Sequence, residues 1–232
     1  MFKNRIEAGQ LLGKKILEEI KGEKPGLSFV PIKSGLQTAG KPGFDELIVL
    51  GIPRGGVIVA AEVAKILSCP LDIIVVRKIG APNESELAVG AIGEPKGAKY
   101  INEKLAVELG ADKGYLDQEI KIQILEIKRR ERVYRQGREA LDLKDKTVIV
   151  VDDGTATGAT AIAALREVWN NNPKKVILAL PVVAQDTLEK LTKEADEVIF
   201  LEKPWPFFSV GQFYEEFEQV SDEEVIDLLN YK

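Results

Sequence analysis

The sequence contains no histidine and only one cysteine in its 232 residues. Without histidine, the chain has no Ser-His-Asp triad, no histidine-ligated zinc and no histidine proton shuttle. The single cysteine, Cys69, excludes an intrachain disulfide and a metal site built from several cysteines. Acid–base chemistry near neutral pH is therefore left to carboxylates, lysine, tyrosine or the substrate itself.

The sequence also lacks a long apolar run and an excess of positive charge. No stretch of about 18 apolar residues occurs, and the first residues lack the apolar core of a signal peptide, so a cytoplasmic protein without a membrane span is expected. The 32 lysines and arginines are outnumbered by 37 aspartates and glutamates, which gives a net charge of −5. This balance excludes a broadly basic nucleic-acid coat but leaves room for a local basic patch.

The apolar residues that are present predict one α/β domain. Residues 4–21 have the spacing of an amphipathic helix, and the glycine- and proline-rich residues 22–45 predict a loop or an irregular insertion. Short apolar strands alternating with helices are typical of a doubly wound, mostly parallel sheet, whose ligands bind at the carboxyl ends of the strands. The expected core strands are 47–50, 71–76, 147–151, 176–180 and 198–201, with extra strands in 86–102 and a long helix over 115–139.

The turn after the strand at 147–151 has the residues expected to bind a phosphorylated ribose. Asp152 and Asp153 can accept hydrogen bonds from two vicinal hydroxyls. The loop that follows opens a helix, so its backbone N–H groups and the positive end of the helix dipole can meet a phosphate. This loop consists of Gly154, Thr155, Ala156, Thr157, Gly158, Ala159 and Thr160. The plainer alternative is an acidic strand end followed by a glycine-rich helix start.

Two other expected strand ends carry cations. Arg54, Gly55 and Gly56 follow the first core strand, and glycine lets backbone N–H groups approach a pyrophosphate closely. Arg77 and Lys78 are expected to end the second core strand, where two cations suit a multiply charged leaving group. The alternatives are a tight turn with a solvent-exposed arginine, and cations that extend from a strand end into water.

Residues 148–160 resemble the 5-phosphoribosyl-1-pyrophosphate (PRPP) signature of type I phosphoribosyltransferases: an apolar strand, two acids, and a Gly/Thr/Ala loop that ends in Thr-Gly-x-Thr. Residues 51–56, 76–82, 86–91 and 210–214 resemble other segments of stand-alone phosphoribosyltransferases whose acceptor is unassigned. The resemblance implies that fold, as a single domain over the whole chain. The core would lie at about 46–201, and the N-terminal helix and residues 202–232 would form a small accessory hood.

The resemblance also implies an activity and its site. A phosphoribosyl group would pass from PRPP to an acceptor, expected to be a nitrogenous base, with release of pyrophosphate. Asp152 and Asp153 would hold the ribose hydroxyls and, mainly through water, Mg²⁺, while the loop 154–160 would hold the 5′-phosphate. The pyrophosphate would be stabilised by Arg54, Gly55, Gly56, Arg77 and Lys78, of which Arg54 and Lys78, with the two acids, are the expected catalytic residues.

The acceptor site and the partners are less constrained by these residues. Trp205, flanked by two prolines, could stack on an acceptor base, although aromatic residues more often fill a core or an interface. The family usually forms homodimers, and neither a nucleic acid nor a membrane partner is expected. The alternative function is a non-enzymatic PRPP-sensing regulator. The basic helix segment 128–138 would favour that alternative, but such a segment is more often a solvated face or a dimer contact.

Overall fold

The computed structural model of the chain describes residues 1–22, 29–31, 46–93 and 97–230. Seven α-helices and nine strands are found in these ranges. In chain order they are α1 Arg5–Lys21, β1 Phe29–Pro31, β2 Leu47–Gly51, α2 Gly55–Leu67, β3 Leu71–Ile73, β4 Val76–Ala81, β5 Glu84–Gly93, β6 Lys99–Ile101, α3 Glu103–Glu108, α4 Lys113–Arg135, β7 Thr147–Val151, α5 Ala159–Trp169, β8 Lys175–Val182, α6 Gln185–Leu191, β9 Glu197–Glu202 and α7 Asp222–Asn230.

Six strands form the main sheet, in the order β1-β9-β8-β7-β2-β3. The five strands from β9 to β3 run parallel, and β1 pairs antiparallel with β9 at the edge. The expected mostly parallel α/β sheet is therefore confirmed. The segment expected to be a loop contains the short strand β1, and the rest of 23–45 lies outside the described residues.

Helices cover both faces of the main sheet because neighbouring residues of its strands point in opposite directions. In β2, Leu47 and Val49 belong to the core that faces α1 and α2. Ile48 and Leu50, which alternate with them, belong to the core that faces α5 and α6. All five residues of β2 and of β7 are buried, which explains why these strands are continuous apolar runs in the sequence.

Helix α1 packs against α2 as part of this layer. The Asn4 side chain caps it by accepting a hydrogen bond from the backbone N–H of Glu7. Leu12 and Ile16 are fully buried in the core that they share with the strands. Close packing depends on Gly9, where a Cβ atom would lie 2.8 Å from the Cβ of Glu62. The N-terminal helix thus contributes to the core on one face of the main sheet.

The chain leaves the main sheet earlier than the apolar run 71–76 predicts. Strand β3 ends at Ile73, and β4 pairs with β5 in a separate antiparallel sheet, β4-β5-β6. The prediction of one strand was wrong because the run stays buried while it passes from one sheet to the other, so its apolar pattern does not mark the change. Arg77 and Lys78 therefore lie within β4 and not on an exit turn. The extra strands expected in 86–102 and the long helix are confirmed as β5, β6 and α4.

Candidate active site

Two turns lie side by side because their strands are neighbours: the acid turn, residues 152–158 after β7, and the glycine turn, residues 53–56 after β2. Strands β2 and β7 pair in parallel with Gly51 opposite Val151, so both turns begin at the same edge of the sheet. A Cβ atom on Gly55 would lie only 2.0 Å from Oδ2 of Asp153. A Cβ atom on Gly56 would lie 2.8 Å from Oδ1 of Asp152. Glycine is therefore required here, since any side chain would occupy the space of the two carboxylates.

The surroundings of the Asp152 carboxylate disfavour its ionised form. Burial, and then the negative charge of Asp153, raise the pKa of Asp152 well above its ordinary value, while the positive charge of Lys78 acts in the opposite direction. The backbone N–H of Asp153 donates a hydrogen bond of 2.9 Å to Oδ1 of Asp152. Lys78, although it lies in the second sheet, thus acts electrostatically on the acid turn.

Asp153 is held by residues from both ends of the chain. Its Oδ2 accepts a hydrogen bond of 2.8 Å from Nε of Arg5, and the two side chains are only 10% and 14% exposed. Its backbone carbonyl accepts a hydrogen bond of 2.6 Å from the hydroxyl of Tyr214. Burial and the charge of Asp153 raise the pKa of Tyr214, so this hydroxyl keeps its proton and remains a donor.

A set of backbone contacts joins the two chain ends beside the acid turn. Phe2 donates a hydrogen bond of 2.8 Å to the carbonyl of Phe213 and accepts one of 2.9 Å from the N–H of Glu215. The N–H of Glu216 donates to the carbonyl of Lys3 at 2.9 Å. We call residues 2–5 and 213–218 the chain-end clasp. It keeps Arg5 and Tyr214 against Asp153.

The helices that begin at these two turns have no side-chain cap. Gly158, which precedes α5, has no side chain to serve as a cap, and the side chain of Arg54, which precedes α2, makes no capping hydrogen bond. The short helix α6 is also uncapped, whereas α1, α3 and α4 are capped by Asn4, Asn102 and Asp112. The backbone N–H groups at the start of α2 and α5 are therefore available to an anion.

A cavity of about 510 Å³ adjoins the two turns. It is bounded by the turn residue Pro53, by Thr160 at the start of α5, by β4 and by α4. The residues that line it are Pro53, Val76, Arg77, Lys78, Gly80, Ala81, Pro82, Tyr115, Glu119, Gln123, Arg130 and Thr160. Three cations and one carboxylate among them make this cavity suitable for an anionic group.

Arg77, which lines the cavity, and Arg54, in the glycine turn, each lie near a polar side chain of a helix. Nε of Arg77 donates a hydrogen bond of 2.8 Å to Oε1 of Gln123 in α4. Burial, and then the positive charge of Arg130, lower the pKa of Arg77. Arg54, which follows a cis peptide bond from Pro53, lies with Nη1 3.9 Å from Oδ1 of Asp222 in α7.

Trp205 is 75% exposed, on a loop that is held by hydrogen bonds. The side chain of Gln212 donates to the carbonyl of Pro206 and accepts from the N–H groups of Phe208 and Ser209. Trp205 is thus not a core residue. In the part of the chain that the structure describes, no hydrogen bond or ring contact joins it to the acid turn, and its role in acceptor binding stays a prediction.

Three of the six bases in the segment 128–138 pair with carboxylates of the molecule. Arg129 and Arg130 pair with Glu126. Arg135 pairs with Asp72 at 3.2 Å, and Nη1 of Arg138 donates to the carbonyl of Leu229. Within the described ranges, the exposed Lys128, Arg132 and Arg138 have no ion pair. The segment is therefore mainly a structural helix face.

Three site residues were missed in the sequence. Arg5 and Tyr214 contact Asp153, and Asp222 lies near Arg54. Only Arg5 could have been noticed in the sequence. A cation in the first turn of a helix is unfavourable beside the positive end of the helix dipole, so its presence suggests a compensating partner.

Neither a ready-made metal cluster nor a membrane span occurs in the described ranges. No group of three or more histidine, cysteine, aspartate or glutamate side chains there could hold a metal ion. Among the described helices, none is both long and apolar enough to cross a bilayer. A metal at the acid turn would therefore need oxygen ligands from its own substrate or from water in addition to the two carboxylates.

Comparison with known proteins gives consistent matches. Two curated proteins of Mycobacterium tuberculosis, provisionally named phosphoribosyl transferases, are each 44% identical to this chain over 184 residues. The match covers 79% of this chain but 41% of each relative, so the chain spans less than half the length of these relatives. The crystal structure of TT1426 from Thermus thermophilus is 35% identical, with a TM-score of 0.73 over 99% of this chain and 97% of that one. The phosphoribosyl transferase domain matches residues 37–216, and the chain belongs to that family.

Proposed function

We propose that the protein transfers the 5-phosphoribosyl group of PRPP to a nitrogenous base and releases pyrophosphate. The observation that carries the proposal is the contact between the two turns. Gly55 and Gly56 leave space for Asp152 and Asp153, so ribose-binding acids lie next to backbone N–H groups that suit a pyrophosphate. Membership of the phosphoribosyl transferase domain family supports the same donor.

In the proposed reaction, the bond from C1′ to the pyrophosphate oxygen breaks and a bond from C1′ to the acceptor forms. Positive charge develops on the ribose and negative charge on the leaving group. Asp152 and Asp153 bind the ribose hydroxyls and lie close to the developing positive charge. Arg54 and Lys78 meet the charge of the pyrophosphate, which grows in the transition state, so they contribute to turnover more than to binding. Arg77, whose guanidinium is held by α4, supports the same group.

The 5′-phosphate is assigned to the loop 154–160. The uncapped start of α5 offers backbone N–H groups and the positive end of the helix dipole. Thr155 helps to shape the loop, since its hydroxyl accepts a hydrogen bond of 3.1 Å from the N–H of Gly158. Thr160, at the start of α5, borders the same cavity as Arg77 and Lys78.

Mg²⁺ fits the donor set of this site. Two adjacent carboxylates and no other cluster of acidic ligands in the described ranges suit an ion that takes most of its ligands from phosphate oxygens and water. When bound, Mg²⁺ would neutralise charge on the pyrophosphate. Asp152 and Asp153 would hold it mainly through water.

The test measures pyrophosphate release from Mg²⁺-PRPP over a panel of purine, pyrimidine and pyridine bases. We expect release with one class of base, and calorimetric binding of PRPP without any base. The double variant Asp152→Asn with Asp153→Asn is the control. It should lose several kcal/mol of donor binding at most, since hydrogen bonds with charged groups contribute about 1.5–3 kcal/mol each. Unchanged PRPP affinity in the folded double variant would refute the assignment of the site.

A PRPP-sensing regulator is the second candidate. The observation in its favour is the pair of exposed cations, Lys128 and Arg132, that have no ion pair in the described ranges. PRPP binding without pyrophosphate release from any base, together with PRPP-dependent RNA binding that Arg132→Ala weakens, would favour the regulator. The neutralisation of Arg129, Arg130 and Arg135 by carboxylates within the molecule favours the enzyme.

A further inference from the structure

Arg5 occupies a position that is unfavourable for its charge. It lies in the first turn of α1, at the positive end of the helix dipole, and only 8% of it is exposed. Burying a guanidinium in such a position costs free energy unless its partners compensate. Its partners therefore indicate what the residue does.

In the described part of the chain, the side-chain hydrogen bonds and the ring contact of Arg5 are all to the acid turn or to the chain-end clasp. Its Nε donates a hydrogen bond of 2.8 Å to Oδ2 of Asp153. Its Nη1 donates one of 2.8 Å to the carbonyl of Glu218. The guanidinium carbon lies 3.8 Å from the ring centre of Phe217, so the aromatic face covers the cation. These contacts fix the guanidinium in one position.

The ion pair lies directly beside the glycine turn. A Cβ atom on Gly55 would lie 2.0 Å from Oδ2 of Asp153 and 2.8 Å from Nε of Arg5. The start of α2 is therefore in van der Waals contact with both members of the pair. Any rotation of the Asp153 carboxylate would break its hydrogen bond to Arg5 or bring it against the backbone of this turn.

We propose that Arg5 is a positioning residue of the donor site. It holds the Asp153 carboxylate against the turn at Gly55, in the orientation in which the acid turn meets the ribose and the metal-bound pyrophosphate. Arg5 acts through Asp153 and does not itself bind the ligand. The inference rests on the proposed function, since it assigns a role in PRPP binding.

Arg138 provides a matched control. Like Arg5, it ties the C-terminal part of the chain through a hydrogen bond from Nη1 to a backbone carbonyl, here that of Leu229. It has no contact with the acid turn within the described ranges. Arg138→Ala therefore measures the effect of losing such a tie alone.

The experiment compares Arg5→Ala and Arg138→Ala with the wild type by melting temperature and by calorimetric affinity for Mg²⁺-PRPP. We expect Arg5→Ala to bind about ten- to a hundredfold more weakly, as expected for the loss of a charged hydrogen bond. Arg138→Ala should bind as the wild type does. Guanidinium chloride at millimolar concentration should restore part of the affinity of Arg5→Ala by filling the vacated space, and sodium chloride at the same concentration should not.

The outcomes separate the inference from the proposed function. A folded wild type that does not bind PRPP contradicts both. A wild type that binds PRPP, with a folded Arg5→Ala that binds equally well or is not rescued by guanidinium, contradicts the inference alone. If Arg5→Ala does not fold, Arg5→Lys is measured. Its ammonium keeps the charge but lacks the fork that joins Asp153 to Glu218, so affinity equal to that of the wild type would contradict the inference.

Discussion

At the scale of single residues, the site depends on the absence of side chains as much as on their presence. Asp152 and Asp153 can lie beside the start of α2 only because Gly55 and Gly56 have no Cβ atoms. The close approach brings two carboxylates, a guanidinium and two helix N-termini into one small volume. Substitution of the glycines therefore tests the geometry without removing any charged group.

Gly55→Ala should displace the Asp153 carboxylate. Its new Cβ would lie 2.0 Å from Oδ2 of Asp153, so the ion pair with Arg5 must shift. We expect a loss of stability of about 1–3 kcal/mol, typical of overpacking, and at least tenfold weaker PRPP binding. Gly114→Ala in α4 is the control, because its Cβ would have only Asp112 Oδ1 within reach, at 3.4 Å. A Gly55→Ala variant with the stability and affinity of the wild type would contradict this geometry.

Asp152→Asn should stabilise the folded protein while it weakens donor binding. Because burial and the charge of Asp153 raise the pKa of Asp152, its ionised form is disfavoured in the folded state. The folded wild type then holds a proton more tightly than the unfolded chain, so it gains stability as the pH falls through this window. The neutral asparagine cannot take up that proton. The stability advantage of Asp152→Asn over the wild type should therefore be largest at alkaline pH and should decrease as the pH falls.

The measurement is the melting temperature of both proteins between about pH 5 and pH 8, where a raised carboxyl pKa would become visible. Each kcal/mol gained should appear as about 2–4 °C in a chain of this size. Equal stability of Asp152→Asn and the wild type at every pH would mean that Asp152 is not destabilised by its surroundings. A variant less stable than the wild type at the alkaline end would show that the carboxylate stabilises the fold.

At the scale of helices and strands, the sequence predicted those features whose residues follow one another along the chain, such as a buried strand and the turn after it. β2 and β7 are buried on both faces, so each is an unbroken apolar run followed by a turn of the candidate site. The boundary between β3 and β4 could not be predicted, because the run 71–76 stays buried while it changes sheets. Arg5 was missed because its partners Asp153 and Glu218 lie 148 and 213 positions away in the chain.

The loop after β9 carries a prediction about the acceptor. Trp205 is 75% exposed on a loop that Gln212 holds, so the ring is presented to solvent by a fixed backbone. Stacking of a base on an aromatic ring contributes about 1–3 kcal/mol. Trp205→Ala should therefore weaken binding of the acceptor base and leave the PRPP affinity and the melting temperature unchanged.

Phe208→Ala is the matched control for that loop, because Phe208 is also largely exposed there. Calorimetry with PRPP and with the base found in the pyrophosphate-release screen would distinguish the two variants. Equal effects of Trp205→Ala and Phe208→Ala on the base would argue against a specific stacking role. A fall in melting temperature with Trp205→Ala alone would indicate that the ring packs against the protein.

At the scale of the whole molecule, the proposed donor site is assembled from segments that are distant in the sequence. Arg5 comes from the N-terminal helix, Arg54 and Asp153 from two core turns, Lys78 from the second sheet and Tyr214 from the C-terminal segment. The chain-end clasp completes this assembly by pairing residues near both ends. Folding of the main sheet alone would therefore leave the acid turn without Arg5 and Tyr214.

The surface of the molecule carries the last prediction, which concerns assembly. Ile122 and Leu125 lie one turn apart on α4 and are 49% and 70% exposed, so an apolar patch interrupts an otherwise polar helix face. The resemblance to homodimeric phosphoribosyltransferases leads us to expect that a second copy of the chain covers this patch. Leu125→Glu should shift the protein from dimer to monomer in sedimentation, because it would bury a charge in the interface. Leu11→Glu on α1, where Leu11 is 43% exposed, should leave the dimer intact. A wild type that sediments as a monomer, or a Leu125→Glu variant that remains dimeric, would exclude this face as the interface.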